Sequence, residues 1–450
     1  MVDSLVPILI ALGAFGVLLP LIVFVHEYGH FKVARLCGVR VDTFSIGFGP
    51  SLLKWRDKQG TDWKIAAIPL GGFVKFFGDA NAASAGTQAD DESHGPATTQ
   101  FGSEKDRLAA LLTEEEKRVC FHFKPLWQRA AVVAAGPLAN FLLAIVIFTG
   151  IFMTIGVTTV EPVVGRVSAQ SAAEEAGFAP GDKILSVNGA RVKSFDDLRM
   201  KVQLSSDSAL MFEVEREGAR TQLTATPRRT TQTDAFGNEI KTGQLGIEAY
   251  RAPIVGGLVE EGAAARAGFQ LDDYILKLDD TSVFTFSDIY RYAEDRTGET
   301  ISVLVERDGR ELRLPVTVQE ISIPTDEGGE ERVGRLGIAP KPYDWQRLNP
   351  FFATGEAIGQ VGKILDGTFT YLGRLITFRE DPTQLGGPVK IAKYAGQAAS
   401  SGFDDRIEIG LGDRILASLA SFLQLAALVS VSIGLLNLLP VPVLDGGHLL

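Results

Sequence analysis

Cysteine and histidine are both scarce in this chain of 450 residues, which has only Cys37 and Cys120 and only His26, His30, His94, His122 and His448. So few cysteines exclude a disulfide framework and leave the folded parts to be held by their cores. A basic excess is also missing. The formal net charge is −11 with no basic stripe, which removes nucleic acid as a partner. Charge is absent altogether from residues 5–25, 130–160 and 415–444. Each run meets the length of about 20 residues needed to cross a bilayer. No Lys or Arg precedes Lys32, and no small-x-small cleavage site follows the first run, so that run reads as a membrane helix and not as an export signal.

At the end of the first apolar run stands His26-Glu27-Tyr28-Gly29-His30. Positions four apart on a helix share a face, so His26 and His30 can grip one ion, with Glu27 beside it. Two neutral imidazoles of this kind hold Zn²⁺, which makes a water nucleophilic, and the carboxylate takes the proton. An ordinary helix also carries this pattern by chance. Here it lies against an apolar helix, where ionisable groups cost several kcal/mol unless they face a partner or a wet cavity. A third ligand must come from elsewhere. The last charge-free run ends Asn437-Leu438-Leu439-Pro440-Val441-Pro442-Val443-Leu444-Asp445-Gly446-Gly447-His448. Pro440 and Pro442 should unwind the helix, and Asp445 then reaches the same depth as a third zinc ligand. The plainer alternative is a helix C-cap with an exposed Asp.

Charge sets the orientation. Residues 32–75 carry eight Lys or Arg against three Asp, whereas residues 156–344 carry 22 basic against 32 acidic side chains. By the positive-inside rule the first connection is cytoplasmic and the acidic block lies outside. That block repeats itself. Val163-Val164-Gly165 returns as Ile254-Val255-Gly256, Ala176-Gly177-Phe178 as Ala267-Gly268-Phe269, and Leu245-Gly246-Ile247 as Leu336-Gly337-Ile338, all displaced by 91 residues. A gap-free period means two copies of one domain, each with short strands, an Ala-rich helical turn and a second helix starting near Phe195 or Phe286.

The pattern from Ala173 to Gly189 resembles a PDZ domain. The resemblance implies a groove for an extended peptide between residues 163–167 and the helix at 196–202, with Val163, Val164 and Gly165 as substrate-binding residues. In the second copy Gly181-Asp182 becomes Asp272-Asp273 and Asn188-Gly189 becomes Asp279-Asp280, so its turns are expected to differ and its groove to lose affinity.

His26-Glu27-Tyr28-Gly29-His30, Gly136-Pro137-Leu138-Ala139-Asn140 and residues 437–447 together resemble the site-2 protease family of intramembrane zinc metalloproteases, close to its bacterial branch. The resemblance implies His26, His30 and Asp445 as zinc ligands, Glu27 as catalytic base and Asn437 as a polar group near substrate, with Asn140 supporting the second helix. It further implies a bacterial inner-membrane location, periplasmic PDZ copies, and a site near the cytoplasmic face. Substrates would be single-pass membrane proteins already trimmed outside, such as an anti-sigma factor or a signal-peptide remnant. Residues 61–76 alternate like a hairpin with central glycines; in the family such a hairpin dips into the bilayer and pairs with unwound substrate through Gly71 and Gly72.

The expected fold is therefore a multi-pass α-helical membrane protein with two inserted α+β PDZ-like domains and a membrane-associated β-hairpin. Its parts are a first transmembrane helix with the zinc motif (1–30) and a cytoplasmic connection (31–129) with the hairpin (61–76) and a flexible insert (79–120). A second transmembrane helix (130–157), two PDZ-like domains (158–249 and 250–341), interfacial amphipathic helices (342–414) and a third transmembrane helix (415–450) follow. His94 in the insert reads as solvated. The apolar end at Leu449-Leu450 suggests that a fourth helix has been cut off. A non-catalytic scaffold or a chaperone-like PDZ protein is the alternative from another class.

Overall fold

A computed structural model describes residues 2–78, 108, 111–233, 239–324, 330–377, 387–403, 410–439 and 445. The chain separates into two units, Met1–Gly156 with Arg347–Leu450, and Val157–Gln346.

The first unit is built on α1 (Val2–Leu36), α3 (Leu126–Thr154) and α10 (Leu411–Leu438), the three described helices long and apolar enough to cross a membrane. Helices surrounded by lipid associate through close van der Waals contact, which small residues permit. A Cβ on Gly29 of α1 would stand 2.4 Å from the Ala135 carbonyl oxygen of α3, and one on Gly434 of α10 would stand 3.1 Å from that of Pro137. Two further helices, α8 (Pro350–Ile376) and α9 (Pro388–Ser400), join this bundle. Leu18 and Ile22 of α1 are buried with Ala395 of α9 and with Ala426 and Val429 of α10. Ala144 and Phe148 of α3 are buried with Ala357 and Val361 of α8 and with Ala427 and Val431 of α10. The amphipathic character expected of α8 is present, with Glu356 and Lys363 paired at 4.0 Å, but its apolar stripe packs into the bundle. Leu9, Leu12, Leu138, Leu142 and Val146 are exposed, as side chains facing lipid would be.

The hairpin expected at residues 61–76 takes another form. β1 (Val41–Arg56) and β2 (Asp62–Phe76) are antiparallel, but both halves of β2 pair with the same part of β1. Ser45 lies opposite Phe73 on one side and Lys64 on the other, and Ile46 opposite Gly72 and Ile65. Residues 61–76 therefore embrace β1 and do not pair with themselves. Gly47 at φ +86° and Gly71 at φ +127° allow the bends that make this curl. Its first loop is tied down by Asp57, which accepts from Arg35, from the Trp63 indole at 3.2 Å and from the Thr61 and Gln59 amides. Burial alone would raise the Asp57 pKa, but these donors outweigh it and hold the carboxyl at about 2.

Of the insert expected at 79–120, residues 79–107, 109 and 110 lie outside the described residues, His94 among them. Its end is helical: α2 (Glu114–Val119) starts from a capping box in which Thr113 and Glu116 bond each other's backbone amides. Cys37 and Cys120 form no disulfide.

The second unit repeats element for element. Four strands, β4 (Lys183–Val187), β5 (Ala190–Arg191), β6 (Leu210–Arg216) and β7 (Ala219–Ala225), form one sheet in the order β5-β4-β6-β7. In the second copy β12 (Tyr274–Leu278), β13 (Thr281–Ser282), β14 (Thr300–Arg307) and β15 (Arg310–Thr317) form the sheet β13-β12-β14-β15. Helix α5 (Phe195–Gln203) recurs as α7 (Phe286–Glu294), hairpin β8 (Arg228–Thr233) with β9 (Glu239–Gln244) as β16 (Gln319–Pro324) with β17 (Glu330–Arg335). The pair β3 (Val164–Val167) with β10 (Ile247–Ala249) recurs as β11 (Val255–Leu258) with β18 (Ile338–Pro340). Each copy closes its own core, around Phe178, Ile184, Leu198 and Phe212 in the first and Phe269, Ile275, Ile289 and Val303 in the second. A buried carboxylate braces each: Asp182 receives Arg216 at 2.6 and 2.8 Å, and Asp273 receives Arg307 at 2.7 Å twice.

The expectation of different turns in the second copy holds at one position only. Asp272 keeps the left-handed conformation of Gly181, at φ +68° against +91°, and pairs with Lys341 at 2.6 Å. Asn188 and Asp279 share φ +50°. Only Gly189, at φ +77°, has a counterpart, Asp280, without positive φ.

Candidate metal centre

His26 and His30 project from one face of α1 into the bundle and are 6% and 7% exposed, enough burial to demand a partner for every ring nitrogen. The chain folds this way because glycine clears the space on both helices. Gly29 admits α3, and on α3 a Cβ at Gly136 would stand 2.2 Å from His30 Nε2. His30 Nδ1 donates to the Val132 carbonyl at 2.8 Å, which leaves the Nε2 lone pair facing inward. Asp445, beyond the end of α10, brings Oδ2 to 2.8 Å from His26 Nε2 and 3.2 Å from His30 Nε2, while the two Nε2 atoms are 3.2 Å apart.

This triangle suits a metal ion. Donors about 2.0–2.2 Å from a tetrahedral ion stand roughly 3.4 Å apart, and two imidazoles with one carboxylate form a nitrogen–oxygen set that leaves a fourth position open. Among the described residues it is the one group of at least three His, Cys, Asp or Glu side chains close enough to share an ion, with its ligand atoms within 4.8 Å.

Around the triangle stand the other residues singled out in the sequence. Asn437 brings Nδ2 to 3.2 Å from His26 Nε2, so its amide borders the donor set. Glu27 is next along α1, and β2 crosses it at Gly72, where a Cβ would meet Glu27 Cγ at 3.1 Å, Val23 Cγ1 at 2.9 Å and the Ser45 carbonyl oxygen at 2.7 Å. Gly71 packs on the Phe48 ring, which a Cβ would meet at 2.4 Å. Pro440, Pro442, Gly446, Gly447 and His448 lie outside the described residues; α10 ends at Leu438 and Leu439 is already extended.

The peptide groove expected at Val163, Val164 and Gly165 is not available there. On one side of β3 the Val164 amide donates to Asp182 and its carbonyl accepts from Gly181; on the other the Val163 carbonyl accepts from Tyr250. A strand with both edges paired cannot take a third. The open edge is β10, which among the described residues pairs only with β3. Since Gly246 and Tyr250 bond toward β3, alternation turns the backbone groups of Ile247 and Ala249 outward. The same position in the second copy is closed. The Ile338 carbonyl accepts from the Tyr290 hydroxyl at 3.4 Å, and Pro340, the counterpart of Ala249, has no N–H.

Sequence reasoning assigned no role at the site to Val132 or Gly136, and gave Asn140 only a supporting one. The spacing Gly136-x-x-x-Asn140 within an apolar run signals a face of close contact, whereas a backbone carbonyl such as that of Val132 leaves no trace in side-chain identity.

Comparison with known proteins agrees with this chemistry. The model of peptidase family M50 matches residues 14–450. A protein of Agrobacterium fabrum named "Putative zinc metalloprotease" is 35% identical over 97% of this chain and 83% of its own length. The regulator of sigma-E protease RseP of Escherichia coli is 34% identical over 98% of this chain and 89% of its own, and RseP of Salmonella typhimurium 32% over 98% and 89%. With histidines four apart on a membrane-length helix and a distant carboxylate meeting them, the chain belongs to peptidase family M50, the site-2 proteases, and is a membrane zinc metalloprotease.

Proposed function

We propose that this protease hydrolyses a peptide bond within the membrane-spanning part of single-pass proteins, with His26, His30 and Asp445 as zinc ligands and Glu27 as the base. The observation that carries the reading is the meeting of Asp445 Oδ2 with both Nε2 atoms, at 2.8 and 3.2 Å, beside helices of membrane length. Zinc, when bound, supplies Lewis acidity that makes water nucleophilic near neutral pH. The Glu27 carboxylate takes the proton of the attacking water and passes it to the leaving amine. Asn437 Nδ2 donates to the carbonyl oxygen as charge gathers there. A substrate helix hides its carbonyls in its own hydrogen bonds and must unwind first. The strand at Gly72, in contact with Glu27, offers backbone groups on which the unwound segment is held.

The two repeats act as PDZ-like domains on the periplasmic side of a bacterial inner membrane, with the metal centre near the cytoplasmic face. They filter substrates by size, so that an anti-sigma factor or signal-peptide remnant enters only after its outer part has been trimmed. Peptide binding falls to the first copy, at β10, because Tyr290 and Pro340 occupy the equivalent edge in the second.

Glu27→Gln tests the base. Zinc content and folding should be retained and cleavage of a single-pass substrate lost; undiminished cleavage removes Glu27 from that role. Deleting residues 160–340 tests the filter, since untrimmed substrate should then be cut. If it stays intact, the filter is wrong.

A further inference from the structure

Asn140 stands on α3, fully buried, with two polar atoms at the end of its side chain and an unequal supply of partners. Its Nδ2 position lies 3.2 Å from His26 Nδ1, while Oδ1 is buried with no hydrogen-bond partner among the described residues. A buried carboxamide oxygen without a donor costs roughly 1–3 kcal/mol and calls for an explanation. Its surroundings are otherwise built to hold the residue still. The Asn140 carbonyl accepts from Ser430 of α10 at 2.9 Å, and Gly434 lets α10 approach until a Cβ there would be 3.3 Å from Asn140 Cβ.

The two ends of a carboxamide have the same shape, so a half-turn exchanges them without disturbing the packing. Which end faces His26 is decided by what the ring must do. With Nδ2–H pointing at Nδ1, the ring proton sits on Nε2, where it blocks the lone pair that faces Asp445 and His30. With Oδ1 in that place, Nδ1–H donates to it, Nδ2 takes the position that has no partner, and the Nε2 lone pair is directed into the donor triangle, so the imidazole and not the spare polar atom decides the orientation. His30 is already fixed in this tautomer by the Val132 carbonyl.

We infer that Asn140 is a positioning residue for the metal centre, its Oδ1 accepting from His26 Nδ1 and so holding His26 in the tautomer and orientation that bind zinc. The inference rests on the proposed ligand set. It divides the work of holding the two histidines between a main-chain acceptor on α3, at Val132, and a side-chain acceptor about two turns further along the same helix, and ties the second to the contact between α3 and α10.

The test uses the full chain in detergent, with zinc affinity measured by competition against a chromophoric chelator and the visible spectrum recorded after loading with Co²⁺. Asn140→Leu keeps the size and removes the acceptor. It should weaken zinc binding roughly 10- to 100-fold and shift the cobalt spectrum, the range typical for loss of a group that orients a ligand. Asn140→Asp keeps the acceptor and cannot donate, so it should restore both readouts. An Asp variant as weak as Leu means that Nδ2 donation or packing alone was at stake and overturns the inference. His26→Ala separates this from the underlying reading. If it binds zinc as wild type does, the ligand set is wrong; if it loses zinc while Asn140→Leu binds as wild type, only the role of Asn140 fails.

Discussion

Gly136 and His30 occupy space that only one side chain can fill: a Cβ on Gly136 would lie 2.2 Å from His30 Nε2, far inside van der Waals contact with the imidazole. Gly136→Ala should therefore push the ring off the donor triangle. Misplacement of about 1 Å at a reacting centre can cost on the order of 100-fold, and activity should fall at least that far together with zinc content. Metal analysis and a cleavage assay check this, with Gly150→Ala as the control because nothing lies within 4 Å of a Cβ there.

Gly72 and Glu27 make a similar pair with a different expected result. A Cβ at Gly72 meets the Ser45 carbonyl oxygen at 2.7 Å as well as Glu27 Cγ, so the strand or the carboxylate must move. Gly72→Ala should reduce kcat roughly 10- to 100-fold while zinc content stays at the wild-type level, since neither histidine is touched. A fall in zinc would show instead that the β1–β2 sheet supports the ligands.

The Asp57 anchor is pH-sensitive in the acid range. Its carboxyl is held at about 2 against an ordinary value of 3.8 because Arg35, Trp63 and two backbone amides favour the charged form over the cost of burial. A lowered pKa in the folded state stabilises above the unfolded value and loses that contribution as pH falls through the folded one. Unfolding of the wild type should show this loss between about pH 4 and pH 2, and Asp57→Asn should lack it. Thermal melts across that window measure the difference.

The two repeats differ in their free edges, and exchanging two residues tests this. Ala249→Pro removes the outward N–H of β10 and should weaken binding of an extended peptide by roughly tenfold, the value of about one net hydrogen bond. Tyr290→Phe combined with Pro340→Ala should instead add a second site. Titration of a fluorescent peptide reports the stoichiometry, and a wild type that already binds two peptides would contradict the closed edge at β18.

Much of this was readable along the chain. Charge-free runs of membrane length, histidines at i and i+4, and a 91-residue period are local or strictly repeated signals, and the helices and paired domains follow them. Misreadings arose where partners are chosen at a distance. Residues 61–76 alternate as a hairpin should, yet their two halves pair with β1, because Gly47 and Gly71 let the chain curl around that strand. Val163 to Gly165 look like a peptide-binding strand, yet β10, more than 80 residues on, fills one edge and the loop at Asp182 the other. Asp272 takes the left-handed conformation of Gly181, which Asp tolerates better than most side chains.

Sequence by itself determined which residue types this protein has for its chemistry and which segments can live in lipid, since both depend on side-chain identity and short periods. The meeting of Asp445 with His26 and His30, the room that Gly136 leaves for an imidazole, the Val132 carbonyl and Asn140 behind the rings, and the closing of one groove by Tyr290 were decided only by the tertiary structure. The reason is that each depends on which parts of the chain approach within a few ångströms; at the metal centre, helix packing through glycine settles that between residues about one hundred to four hundred positions apart.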